Sequence, residues 1–283
     1  MNLSLSVPTP LEYFASLVKS DAGFPLLEAA ISLAQIDHPE LDVQHVLGEV
    51  DQLLARLKLR IAGGSTAIEK LRTLNQFFYR DLSFACNVNH YYDPANSYVN
   101  VVLQTRRGIP ISLAVVWLEL AQGLGLAARG VGFPGHFMLK VNLPNGQVVV
   151  DPLNGQSLSR EELAERLEPF KQVHGQVEEI DIPLGLYLKV APARDIIARM
   201  LRNLKEIHAS QEDWQRLISV QNRLIVLLPD AWSEFRDRGL AHAEVGQTKQ
   251  ALADLETFIA NSDDGSDLKA ISARVAQLRQ ARH

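Results

Sequence analysis

The stretch GIPISLAVVWLELAQGLGL at 108–126 is followed by HFMLKV at 136–141 and QVVVD at 147–151. Only Ser112, Glu119 and Gln122 interrupt the apolar character of the first run, so a helix formed there is apolar all round and belongs in the interior. The two later runs alternate and are rich in β-branched residues. They flank LPNG at 143–146, where the Asn145-Gly146 dipeptide marks a turn, and the spacing predicts a β-hairpin. A buried helix followed by a hairpin places the middle of the chain in the α+β class, with the sheet packed behind the helix.

Upstream, SFACNVNHYYDPANSYVN at 83–100 is dense in Asn, Asp, Pro and Tyr, which favour turns and side-chain bonds to the backbone. It reads as a long ordered loop, the kind of segment that carries sites on a rigid support. Before it, Thr66 and Glu69 are spaced as a capping box for a helix running to about Tyr79 with Ile68, Leu71, Leu74 and Phe78 on one side. Thr9, Pro10 and Glu12 open another helix in the same way, and the periodic run Val43, Val46, Leu47, Val50, Leu53, Leu54, Leu57 closes at Gly63-Gly64. Residues 1–64 are therefore expected to form a helical N-terminal region and 65–190 the α+β core.

From Ala191 onward the pattern is helical again. Gly239, Gly246, Ala251 and Leu255 have the relative spacing of the small and apolar positions in a tetratricopeptide hairpin. A step of about 34 residues back from Asp263, Phe258 and Ala251 lands on Pro229, Leu224 and Leu217. Two units are expected at about 198–231 and 232–265, then a capping helix from Asp267. In the first copy Lys205 stands where a small residue is expected. Residues 191–283 thus read as helical hairpins that bury their faces by stacking on neighbours and offer a groove to a protein or peptide partner.

Composition narrows the function classes. The chain has 283 residues, 47% hydrophobic and 22% charged, with a net charge of −5. It is expected to fold, and it lacks the basic field that drives binding to nucleic acid. A single cysteine, Cys86, suits a reducing compartment and leaves no disulfide or cysteine-based zinc cluster. The opening MNLSLSVPTPLEYF has no basic leader, and no apolar run approaches the ~18 residues that span a bilayer, so the cytoplasm is expected. No Gly-rich phosphate loop appears, and neither cofactor nor metal is expected. His38 and His45 lie around a turn without a third ligand. Arg106 and Arg107 read as loop anchors.

Three residues stand out by position: Ser112 in the first turn of the buried helix, His136 at the start of one strand, and Asp151 at the end of the next. Nucleophile at a helix N-terminus, imidazole base and orienting carboxylate is the arrangement that acyl-transfer chemistry uses. Register permits the last two to meet. If Leu143 to Gly146 form a four-residue loop, Asn142 pairs with Gln147, and His136 and Asp151 share a face two residues out of direct register, a diagonal of roughly 7–8 Å; a two-residue loop keeps the face but moves them four residues out of register. Cys86 with His90 or His136 is an alternative thiol pair.

The run from Gly108 to Val141 followed by VVVDP resembles the transglutaminase-like core, a papain-like fold with its nucleophile on a helix, His on one strand and Asp-Pro on the next. With NHYYDPANSYVN before it and the tetratricopeptide tail, the chain is similar to the SirB type of bacterial transglutaminase-like proteins. The resemblance implies His136 and Asp151 as base and orienter, and Ser112 where catalytic members carry cysteine. A thiol beside histidine ionises near neutral pH, whereas a serine hydroxyl must lose its proton during attack. Two functions are therefore expected as alternatives: a cytosolic regulatory interaction protein whose core is not catalytic, or a serine-type amide hydrolase or acyl-transferase using Ser112, His136 and Asp151.

Overall fold

A computed structural model of the protein describes residues 7–171, 183–262 and 265–280. The first six residues, on which part of the leader expectation rests, lie outside these, as do 172–182 of the expected core and 263–264 and 281–283 of the repeat region. The chain is a mixed helical and sheet protein that clusters into two compact units. One comprises the described parts of 1–25, 32–41 and 197–283, the other 26–31 and 42–196. The expected N-terminal region 1–64 is divided between both.

The second unit is built around α6 (Pro110–Gly123). Its residues Ile111 to Leu118 are all buried, as the unbroken apolar run requires, and Trp117 is the largest fully buried side chain of the protein. Against it lies a four-stranded antiparallel sheet in the order β3 (Ala127–Val131), β4 (Met138–Leu143), β5 (Gly146–Val150) and β6 (Ser157–Leu158). The β4–β5 hairpin pairs Asn142 with Gln147 and Leu143 with Gly146, so Pro144 and Asn145 form its loop. The turn thus sits one residue earlier than the Asn145-Gly146 dipeptide suggests. β3 and β6 have no strong signal in the sequence. In β3 the ARG segment interrupts the apolar run, and Gly130 is required because a Cβ there would stand 2.6 Å from the Phe137 ring.

Helices α3 (Val43–Lys58), α4 (Ala67–Asn75), α5 (Val99–Thr105) and α7 (Arg160–Lys171) belong to the same unit, with the short α8 (Leu184–Tyr187). The Thr66–Glu69 capping box forms in both directions, satisfying N–H groups that the first turn of α4 leaves free. After Asn75 the helix passes into a π-turn over Gln76–Asp81. The segment 83–98 runs through a short strand β1 (Ala85–Cys86), parallel to β2 (Arg107–Gly108), and two 3-10 turns. Arg106 and Arg107 anchor it. Arg106 takes the left-handed conformation that closes α5 and lies over the Phe84 ring, and Arg107 donates to the Ser83 carbonyl at 2.7 Å.

The other unit is helical where described. It holds α1 (Pro10–Leu17), a 3-10 turn at Leu33–Ile36, α9 (Ala193–Ser210) from Ile197 on, and α10 (Trp214–Leu227), α11 (Trp232–Glu244), α12 (Thr248–Asn261) and α13 (Gly265–Gln280). α2 (Leu26–Ser32) is shared between the two by sequence. Successive hairpins α9–α10 and α11–α12 followed by α13 match the repeat units. Gly239 lets α12 approach, since a Cβ would meet Leu255 at 2.8 Å, and Ala251 is fully buried.

Candidate functional site

Asp151 leaves β5 at a tight loop. Its carbonyl accepts from the Gly155 N–H at 2.8 Å, and Gly155 takes a φ of +74°, a conformation that favours glycine. This turn aims the side chain back into the unit, where it is 4% exposed. Oδ1 accepts from His136 Nε2 and from the Leu153 N–H, both at 3.0 Å, and Oδ2 accepts from Arg166 Nη1 of α7 at 2.9 Å. Burial raises the pKa of the carboxyl. The hydrogen bonds from His136, Leu153 and Arg166 outweigh it and hold the group at about 2, so it is ionised at neutral pH.

His136 precedes β4 in a turn in which its N–H donates to the Phe133 carbonyl and Gly135 adopts a φ of +65°. The β4–β5 ladder pairs Leu139 with Val150, so Asp151 leaves the sheet beside the turn that carries His136, and it is this turn that brings the ring to the carboxylate. Facing an ionised carboxylate, Nε2 is the donating nitrogen, and in the tautomer with its hydrogen there Nδ1 is an acceptor. Nδ1 makes no hydrogen bond among the described residues, and the side chain is 19% exposed. A base-type nitrogen with a buried, oriented carboxylate behind it is therefore present.

A supporting layer that the sequence did not disclose holds this loop. Tyr79, turned inward by the π-turn, donates its hydroxyl hydrogen to the Pro152 carbonyl at 3.1 Å. Asn75 Nδ2 donates to the Gly155 carbonyl at 3.2 Å, and Asn75 Oδ1 accepts from Trp117 Nε1 at 3.0 Å, linking α6 to the carboxylate turn. Burial, then the charge of Asp151, keeps the Tyr79 phenol protonated by raising its pKa. The same two causes raise the Cys86 thiol, so the alternative thiol pair begins from a protonated sulfur. The aromatic at Tyr79 facing a Gly-containing turn after an Asp-Pro was the available signal; Arg166, on a helix of alternating charges, gave none.

Ser112 is placed differently from the dyad. It is the third residue of α6 and fully buried. Oγ accepts from the Ile109 N–H at 3.1 Å, the half of a capping box that the third helical residue supplies. Its one hydrogen faces the Asn96 carbonyl at 2.6 Å, with the Ile109 carbonyl at 3.1 Å. Among the described residues no hydrogen bond joins Ser112 to His136. Asn96, itself 3% exposed, donates to the His90 and Tyr91 carbonyls and accepts from Asn87. The hydroxyl is thereby the inner end of a network that fastens the loop 87–98 to α6. His45 forms an exposed pair with Glu49, and no group of three or more metal-binding side chains occurs among the described residues.

In the repeat unit Lys205, the residue out of place in the repeat pattern, reaches across to α11 and pairs with Glu234 at 2.5 Å and Asp237 at 2.6 Å. Arg236 continues the line to Asp237 and to Asp267 of α13. Arg238 binds Asp254 of α12 with two nitrogens at 2.7 Å and Asn222 of α10 at 2.8 Å. The first helices of successive hairpins are thus joined by ion pairs, and within the α11–α12 hairpin the Arg238–Asp254 pair accompanies apolar packing.

The family models that match the chain agree with this architecture. Residues 44–202 match the model of the transglutaminase-like superfamily, and 204–276 match a tetratricopeptide repeat model. A UPF0162 protein of Xylella fastidiosa strain Temecula1 is 36% identical over 240 residues, covering 84% of each chain. A UPF0162 protein of Pseudomonas aeruginosa is 28% identical over 258 residues, 89% of this chain and 90% of its own. Menin, in a crystal structure that reveals its binding site for the Mixed Lineage Leukemia protein, aligns at 13% identity with a TM-score of 0.41 over 96% of this chain and 76% of its own. With a transglutaminase-like match over more than half of its length, a tetratricopeptide match after it and this similarity to the Xylella fastidiosa protein, the chain belongs to the UPF0162 family of the transglutaminase-like superfamily.

Proposed function

We propose that this protein is a cytosolic regulatory and interaction protein of the SirB type, in which the transglutaminase-like unit is not catalytic and the repeat unit binds a protein segment. The observation that carries this reading is the state of Ser112. A nucleophile needs its hydroxyl exposed to a substrate carbonyl and hydrogen-bonded to a base. Here the oxygen is buried, caps its own helix and gives its hydrogen to a main-chain carbonyl, so activation requires breaking contacts that hold the loop 87–98. Tetratricopeptide repeats generally mediate protein–protein interaction, which supports the assignment of binding to 204–276. The single cysteine suits a reducing compartment.

The second reading, a serine-type amide hydrolase or acyl-transferase, draws its support from the His136–Asp151 pair, which has the orientation of a base and its orienter. A fluorophosphonate probe separates the two. No adduct at Ser112 is expected. Labelling at Ser112 that disappears in His136→Ala would establish the triad and overturn the interaction reading. A complementary capture experiment compares the wild type with Ala251→Glu and Ser112→Ala: proteins that bind through the repeats are lost from the first variant and kept by the second.

A further inference from the structure

His208 lies in the last turn of α9 and is 1% exposed, and neither ring nitrogen makes a hydrogen bond among the described residues. Buried polar groups are ordinarily paired, and an unpaired imidazole in a core is tolerable only while it is neutral. The main-chain carbonyl of His208 accepts from the Asp213 N–H at 2.9 Å, closing the turn to α10, and in that turn Glu212 has a φ of +54°.

The charged groups acting on the ring are Asp37, at the end of the 3-10 turn Leu33–Ile36, and Asp213 and Arg216 at the start of α10. Both carboxylates are already engaged. Arg216 Nε donates to Asp37 Oδ1 at 2.6 Å, and its Nη1 donates to Asp213 Oδ2 at 2.5 Å. This guanidinium is the tie between the 33–37 turn and the first hairpin of the repeat region. Among the described residues, the carboxylates acting on an imidazolium at 208 are these two, and it would have to take them from Arg216.

We propose that His208 is an acid-sensitive latch, whose protonation breaks the Asp37–Arg216–Asp213 tie and releases the turn 33–37 from the α9–α10 hairpin. Burial is the largest influence on the ring and holds its pKa below the ordinary value, with Asp37 and Asp213 pulling the other way and Arg216 adding to the depression. The sign follows. A base whose pKa is lowered on folding contributes stability above its unfolded pKa, near 6.5, and loses it as pH falls through that value toward the folded one. The inference stands apart from whether the transglutaminase-like unit is catalytic.

Hydrogen exchange of the full chain at pH 7.5 and 5.5, corrected for the intrinsic pH dependence, tests it. Peptides covering 33–38 and 207–217 are expected to open up to about tenfold more at the lower pH, because pH 5.5 lies one pH unit below the ordinary imidazole value of 6.5 at which the released ring takes its proton. Peptides from α6 serve as reference and are expected not to change. In His208→Leu the acceleration is expected to vanish. Unchanged exchange in the wild type, an equal rise in α6, or acceleration that persists in the variant would each overturn the latch. Should His208→Leu fail to fold, the ring resonance of wild-type His208 decides. Titration in the interval where opening occurs supports the proposal, and titration in a different interval overturns it.

Discussion

Asp151→Asn removes the charge at the centre of the candidate site while keeping its shape. The ionised carboxylate is stabilised in the folded state because its acid is held at about 2 against an ordinary 3.8. At roughly 1.4 kcal/mol for each unit of difference, that gap is worth about 2 kcal/mol of folding stability. The pKa is depressed on folding, so the contribution is complete above the ordinary value and disappears as pH falls through the folded one. By pH 3 about half should be left. Urea unfolding followed by Trp117, the tryptophan buried in this unit, measures it in a Trp214→Phe, Trp232→Phe background that silences the other two. Wild type is expected to exceed Asp151→Asn by about 2 kcal/mol at pH 7, with the difference halving at pH 3. A difference that stays constant across that range would mean that the cost is one of shape, and would refute the assignment of the stability to charge pairing with His136 and Arg166.

Gly155→Ala is expected to destabilise the same unit by more than about 1 kcal/mol, because the position needs positive φ and a Cβ would stand 2.4 Å from the Tyr79 ring; thermal unfolding checks it. Ser112→Ala leaves the Ile109 N–H and the Asn96 carbonyl without their partner, at a cost of about 1–3 kcal/mol. Proteolysis is expected to open first within 87–98, and partner binding is expected to persist. Ala251→Glu drives a carboxylate into a site with no exposed surface, several kcal/mol in magnitude. Limited proteolysis should then show a sensitive 232–261 hairpin beside a protected transglutaminase-like unit, and an unchanged cleavage pattern would mean that the residue does not face a helix.

The His–Asp pair shows how far a strand pattern reaches. Read as strand from 136, the alternation puts both residues on one face for either even loop length, yet β4 begins only at Met138 and the direction of His136 is set by the turn before it. Choosing between a bond and a near miss required the loop, and Pro144-Asn145 gave the shorter offset. Ser112 is the opposite case. Its position at the start of an apolar helix was plain, yet the same hydroxyl serves a cap or a nucleophile equally well, and the choice was made by Asn96, sixteen residues away in sequence, whose carbonyl takes its hydrogen.

By itself the sequence determined the elements whose causes are local: the capped helix starts at Thr9 and Thr66, the buried helix from Pro110, the hairpin, and the two helical repeat units with their small residues at Gly239 and Ala251. Periodicity and capping are written within a few residues of the element they produce. Only the tertiary structure decided the partners of Asp151, the Asn96 carbonyl that takes the Ser112 hydrogen, the inward turn of Tyr79, the division of the N-terminal helices between two units and a His208 ring with no hydrogen bond among the described residues. Each of these depends on side chains brought together from distant parts of the chain. Their bonding and desolvation are set by that meeting, and no local pattern encodes it.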